Sequence, residues 1–179
     1  MEKSALRLLR VVVTGSECTG KTTLAAFLAE RCQTAWSPEF ARTYLEAKGA
    51  PLDATDVEAI ARGQIAGEDL ARGRARGIVV KDTDLVSTVV YSRHYYGGCP
   101  EWVARAASER LGDLYLLLHP DVPWRPDGLQ RDRPEQREHM HALFREALRS
   151  LRARYADVVG TWKERRDRAV REVDDALLP

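Results

Sequence analysis

Apolar residues along this chain fall into two alternating patterns. Short, nearly unbroken apolar runs stand at 8–13, 77–81 and 114–118, with weaker ones at 34–37 and 155–159. Their length suits strands, and the lack of in–out alternation predicts strands covered on both faces. Between them, apolar positions recur every three or four residues, the spacing of one helix face. This spacing predicts helices at 22–31, 39–48, 56–72, 85–95, 101–111, 133–152 and 163–177. Breakers mark several strand ends: Pro38 closes the second, His119-Pro120 the fourth and Gly160 the fifth. Strand and helix in alternation define an α/β fold, a doubly wound parallel five-stranded sheet with helices on both faces. Right-handed crossovers leave few strand orders. In such sheets ligands sit at the carboxyl ends of the strands, so chemistry is expected in the residues that follow each strand.

No repeat, linker or low-complexity segment interrupts the 179 residues, and one domain over 1–179 is expected. Lys and Arg number 28 against 27 Asp and Glu, without the basic excess of a nucleic-acid binder. Cys18, Cys32 and Cys99 are odd in number and scattered, which predicts neither a disulfide framework nor a C-x-x-C metal pair. His139 and His141 stand two apart on a helix and point to different faces, so the four histidines are not expected to form a site. The chain opens without a secretory h-region and has no run of about 20 apolar residues. A cytoplasmic protein without nucleic-acid or membrane partners is the expectation. Composition leaves its oligomeric state open.

The first strand runs into Gly15-Ser16-Glu17-Cys18-Thr19-Gly20-Lys21-Thr22, which fills every fixed slot of G-x-x-x-x-G-K-[ST]. The glycines let successive N–H groups turn inward on a phosphate, and the helix that follows directs its positive end to the same point. These eight residues and Thr23 are the expected triphosphate site, with Lys21 on the outer phosphates and the Thr22 hydroxyl on Mg²⁺. Asp82 ends the third strand, where a carboxylate holds Mg²⁺ directly or through water. Asp84 shares that task, meets the substrate or only caps the next helix. Glu39 and Arg42, three apart at a helix start, form either a solvated pair or a proton acceptor and a phosphoryl-holding cation. The segment 123–137 is rich in Pro, Gly and Arg and reads as a lid, with Arg131 and Arg133 as triphosphate contacts. Trp162 either flanks the base or packs in the core. For a flat substrate, Trp36, Tyr96 and Trp124 are candidate walls, with core packing as the alternative.

Four blocks in order carry a likeness: residues 15–23, Glu39-Phe40-Ala41-Arg42-Thr43-Tyr44, Asp82-Thr83-Asp84, and Pro123-Trp124 with Asp127-Gly128-Leu129. Together with the helix ending in Tyr95-Tyr96-Gly97, they resemble the ribosylnicotinamide kinase domain of the NadR-type NAD-salvage proteins, over nearly the whole chain. The resemblance implies a P-loop kinase that uses ATP and Mg²⁺ to phosphorylate the ribose 5′-hydroxyl of nicotinamide riboside, yielding nicotinamide mononucleotide. It also makes Glu39, Arg42 and Asp82 preferred site residues beside Lys21, with Glu39 and Asp82 as alternative bases. Two features depart from the family pattern: Pro38 replaces an aromatic before Glu39, and Gln130 stands in place of an arginine. No further domain precedes the motif, so the reaction is expected to stop at the mononucleotide. Two other readings stay open, a kinase of another nucleoside or mononucleotide and a P-loop ATPase acting as a switch. A guanine-specific switch is disfavoured, since no N-K-x-D occurs.

Overall fold

The computed structural model describes residues 8–125 and 134–178. Its strands are β1 (Leu9–Thr14), β2 (Trp36–Ser37), β3 (Ile78–Asp82), β4 (Leu114–Leu118) and β5 (Tyr155–Val158). All pair in parallel, in the order β2-β3-β1-β4-β5. The helices are α1 (Lys21–Arg31), α2 (Phe40–Lys48), α3 (Val57–Arg74), α4 (Leu85–Tyr96), α5 (Glu101–Glu109), α6 (Arg137–Ser150) and α7 (Trp162–Leu177). The doubly wound five-stranded sheet read from the apolar pattern is the fold.

Side chains alternate along a strand, so the sheet feeds two cores. Val11, Val13, Val80, Leu114 and Leu116 share one with Leu24 and Leu28 of α1 and Ala169 and Val173 of α7. Val12, Tyr115 and Leu117 share the other with Ala61 of α3, Val90 of α4, Val103 of α5 and Phe144 of α6. Helices thus cover both faces, which is why the inner strands read as unbroken apolar runs. Lys81 breaks that pattern in β3. It is buried and its Nζ donates to buried Glu68 Oε2 at 2.7 Å, so the charge is matched within the fold.

Some boundaries differ from those expected, each for a local reason. The second strand shrinks to Trp36–Ser37 because it lies at the sheet edge, pairs only with β3, and is followed by a proline. Helix α6 starts at Arg137 instead of 133, since Pro134 opens a short 3₁₀ turn over Pro134–Gln136. Helix α7 begins on a capping box, in which Thr161 accepts from the Glu164 N–H while Glu164 accepts from the Thr161 N–H. Among the described residues, no helix is long and apolar enough to cross a membrane.

Candidate active site

After β1 the chain turns through three left-handed residues, Gly15 (φ +138°), Cys18 (φ +56°) and Gly20 (φ +87°), before α1 begins at Lys21. The carbonyls of this turn are held from several sides. Ser16 O accepts from Thr19 Oγ1 and from Lys21 Nζ, both at 2.9 Å. Thr19 O accepts from Arg165 Nη1 at 2.9 Å, and Cys18 O from Arg137 Nη2 at 3.2 Å. Because a trans peptide is planar, a carbonyl fixed on one side sets the next N–H on the other. The arginines therefore help hold the loop in a shape that offers its N–H groups to an anion. Gly15 is required for a further reason: an added Cβ would lie 2.7 Å from Leu118 O, at a φ that L-residues avoid. Gly15→Ala is expected to lower stability by about 2–4 kcal/mol. An unchanged urea midpoint would show that the turn has room to spare.

Thr22 Oγ1 donates to Asp82 Oδ2 at 2.6 Å, which joins the loop to the end of β3. The second oxygen, Asp82 Oδ1, is buried and has no partner among the described residues. Burial pushes the Asp82 carboxyl up to about 6, and the negative charge of Glu39 pushes the same way. Lys21, the Thr22 hydroxyl and Arg42 pull in the opposite direction. The five residues therefore share one electrostatic neighbourhood, although they come from three separate segments. A hydroxyl beside a half-satisfied carboxylate is an all-oxygen donor set, and it fits Mg²⁺.

Glu39 also lines a cleft formed by α2, α3 and α4, together with Asp53, Gln64, Thr83, Ser87, Thr88, Tyr91 and Tyr96. Gln64 shapes its floor, accepting from the Phe40 N–H at 3.0 Å and donating to Thr83 O at 3.4 Å. At the rim, Asp56 accepts from the Tyr44 hydroxyl and from Lys48, and Lys48 also reaches Asp53. The cleft is polar at the Glu39 end and carries two tyrosines, a lining suited to a polar molecule with one flat face.

Several expected site residues lie elsewhere. Asp84 takes the cap alternative: it is buried, its Oδ1 caps α4 through the Val86 N–H at 3.0 Å, and its Oδ2 accepts from Tyr115 at 2.6 Å. Trp36 packs against the core shared with α1 and α7, on the sheet face opposite the cleft. Trp162 packs in that same core, beside Gly20. Trp124 is half-buried and does not line the cleft. Arg131 and Arg133, with much of the lid segment, fall outside the described residues. Tyr96 does line the cleft, as do the unforeseen Tyr91, Gln64, Ser87 and Thr88.

The largest omission is Arg165. Its side chain is fully buried, and besides Thr19 O it holds Gly160 O at 2.9 Å, His119 O at 2.8 Å and the Asp121 carboxylate. A signal for it was present in the chain: Arg165 falls in register with Trp162, Ala169 and Val173, the buried stripe of α7. A cation in an apolar stripe needs internal partners.

A phosphate loop at the head of the central strand, answered by the carboxylate of its neighbour, defines a P-loop protein of the nucleoside-kinase type. The chain belongs to the family described as AAA domain, which matches residues 10–165. It is 32% identical over 124 residues to the trifunctional NAD biosynthesis/regulator protein NadR of Escherichia coli (strain K12), covering 67% of this chain and 30% of that protein. The chain thus spans about a third of the length of the curated relatives it matches. Among solved structures, NadR in complex with NR superposes with a TM-score of 0.80 at 25% identity, over 95% of this chain and 52% of the other. NadR with NAD and AMP-PNP gives 0.77 at 25% identity, over 95% and 49%. Thymidylate kinase from Ehrlichia chaffeensis shares the fold, with a TM-score of 0.68 at 13% identity over 93% and 98%. The likeness to NadR read from four sequence blocks is thereby borne out.

Proposed function

We propose that this chain transfers the γ-phosphoryl group of ATP to the ribose 5′-hydroxyl of nicotinamide riboside, forming nicotinamide mononucleotide. One observation carries the reading: Glu39 belongs at once to the electrostatic neighbourhood of Lys21 and Asp82 and to the wall of the cleft between α2, α3 and α4. An acceptor hydroxyl held there faces the end of a triphosphate cradled by residues 15–23. Similarity to a protein whose crystal structures contain NR and AMP-PNP supports the choice of substrates.

In this mechanism Lys21 leaves Ser16 O for the outer phosphate oxygens, and Arg42 steadies the group in flight. Thr22 and Asp82 would hold Mg²⁺, which would supply positive charge against the charge developing on the phosphates. Glu39, the carboxylate that reaches the cleft, takes the hydroxyl proton as the new O–P bond forms and ADP departs. Asp82, which accepts from Thr22 through one oxygen, is assigned to the metal in this reading. Tyr96, half-buried in the cleft wall, offers a face to the nicotinamide ring in place of Trp36. Most of the acceleration is positioning and electrostatics.

The test is ADP release measured over a nucleoside panel. Nicotinamide riboside is expected to be the best acceptor, and turnover of thymidine or cytidine in its place would overturn the assignment. Glu39→Gln should lower kcat about 10²-fold or more, with the KM for ATP little changed. Turnover near wild type in that variant would transfer the base role to Asp82.

A further inference from the structure

Outside this site, one cluster of side chains is electrically unsettled. His119 follows β4, Asp157 lies on β5, and His141 and Arg145 lie on α6. His119 Nε2 stands 2.7 Å from Asp157 Oδ1. Arg145 Nη2 occupies the middle, 3.1 Å from His141 Nε2, 3.3 Å from His119 Nε2 and 3.1 Å from Asp157 Oδ1.

These contacts cannot all be good at once. Arginine only donates, so both imidazole nitrogens must present lone pairs to it. A lone pair on His119 Nε2 then faces the carboxylate oxygen of Asp157, acceptor against acceptor. Placing a proton on His119 Nε2 repairs that contact and sets an N–H against the guanidinium. One amino group also meets three acceptors with two hydrogens, while Arg145 Nε is buried without a partner among the described residues. Every arrangement of protons leaves one of these contacts without a hydrogen bond, at best the one between Arg145 and His119, a mismatch of donors.

A cation without protons removes it. The three donor atoms, one each from His119, His141 and Asp157, lie within 4.8 Å of one another. Donors around Zn²⁺ sit about 2.0–2.2 Å from the ion, so only small side-chain movements are needed to close on one. Arg145 is half-buried, and its side chain can swing to solvent, where Nε regains water. We propose that His119, His141 and Asp157 form a binding site for a divalent transition-metal ion, with Arg145 as the displaceable plug. Two imidazoles and a carboxylate favour Zn²⁺ over Mg²⁺ or Ca²⁺, and three protein ligands leave a fourth position for water. The site is separate from the Thr22–Asp82 pair and does not depend on the kinase reading.

Chelator-treated protein at pH 7.5, without nucleotide, would be titrated with Zn²⁺ by calorimetry and with Co²⁺ by visible absorption. One ion per chain is expected, accompanied by shifts in the His119 and His141 imidazole ¹⁵N resonances. His141→Ala and Asp157→Asn should each weaken binding at least tenfold. Asp157 is the more exposed of the two, so its variant serves if His141→Ala does not fold. Arg145→Met, which removes the competing cation, should tighten binding about tenfold, whereas Asp82→Asn should leave it unchanged. The proposal falls if neither the wild type nor Arg145→Met binds Zn²⁺, if Asp157→Asn binds as tightly as wild type, or if Asp82→Asn abolishes the Co²⁺ spectrum.

Discussion

Asp82→Asn is expected to yield a protein that is more stable than wild type at pH 8 and about 10³-fold slower. The two effects share one cause. Burial holds the Asp82 carboxyl at about 6 against 3.8 for an ordinary one, so its ionised form is disfavoured in the folded chain. The sign follows by linkage: the unfolded chain releases this proton first, so stability is full below about pH 4 and declines as pH rises through about 6. A shift of that size corresponds to about 2–3 kcal/mol at pH 8. Asparagine keeps an oxygen to accept from Thr22 and carries no charge to desolvate or to repel Glu39. It also removes the anionic ligand proposed for Mg²⁺, which is the reason we propose for a buried carboxylate there. Urea titrations at pH 4 and pH 8 measure the effect. The variant should match wild type at pH 4 and exceed it at pH 8. Equal midpoints at both values would mean that the carboxylate sits in the folded protein at no cost. Asp84, raised to about 6 by burial and by Glu68, adds a second decline over the same pH range, which the Asp82 variant retains.

Arg165→Met should be the most damaging single change away from the phosphates, lowering stability by about 3–5 kcal/mol. Methionine fills much of the volume but leaves Thr19 O, Gly160 O, His119 O and Asp121 without their shared donor. Each buried acceptor so orphaned costs about 1–3 kcal/mol, reduced where water reaches it. Because Thr19 O belongs to the phosphate loop, ATP affinity should fall about tenfold as well, even though Arg165 touches no phosphate. Arg165→Lys keeps the charge for Asp121 and loses the fork that spans three carbonyls, so it should recover stability only in part. Calorimetric binding of an ATP analogue, paired with the urea midpoint, separates the two effects. An Arg165→Met protein with wild-type affinity would show that the loop holds its shape unaided.

What could be read from the chain by itself was local. Strand and helix periodicities lie within a few residues of one another, and so do the glycines, lysine and threonine that make a phosphate loop. The element order, the two-sided sheet and the Thr22 end of the proposed metal pair follow from them. Asp84 shows where locality fails: a carboxylate two residues past a strand reads equally as ligand or cap, and although its Oδ1 caps α4 locally, it is the Tyr115 hydroxyl from β4 that occupies its other oxygen. Trp36 and Tyr96 were equivalent as aromatic candidates until the alternation of β2 turned Trp36 to the α1 face and the length of α4 carried Tyr96 to the cleft. Histidines two apart on one helix cannot share an ion, yet His141 meets His119 and Asp157 from other elements. In each case the deciding contact joins residues far apart in sequence. Such contacts are set by strand order and by which face a residue occupies, and both are properties of the assembled sheet, while the backbone conformations that build it are chosen within a few residues.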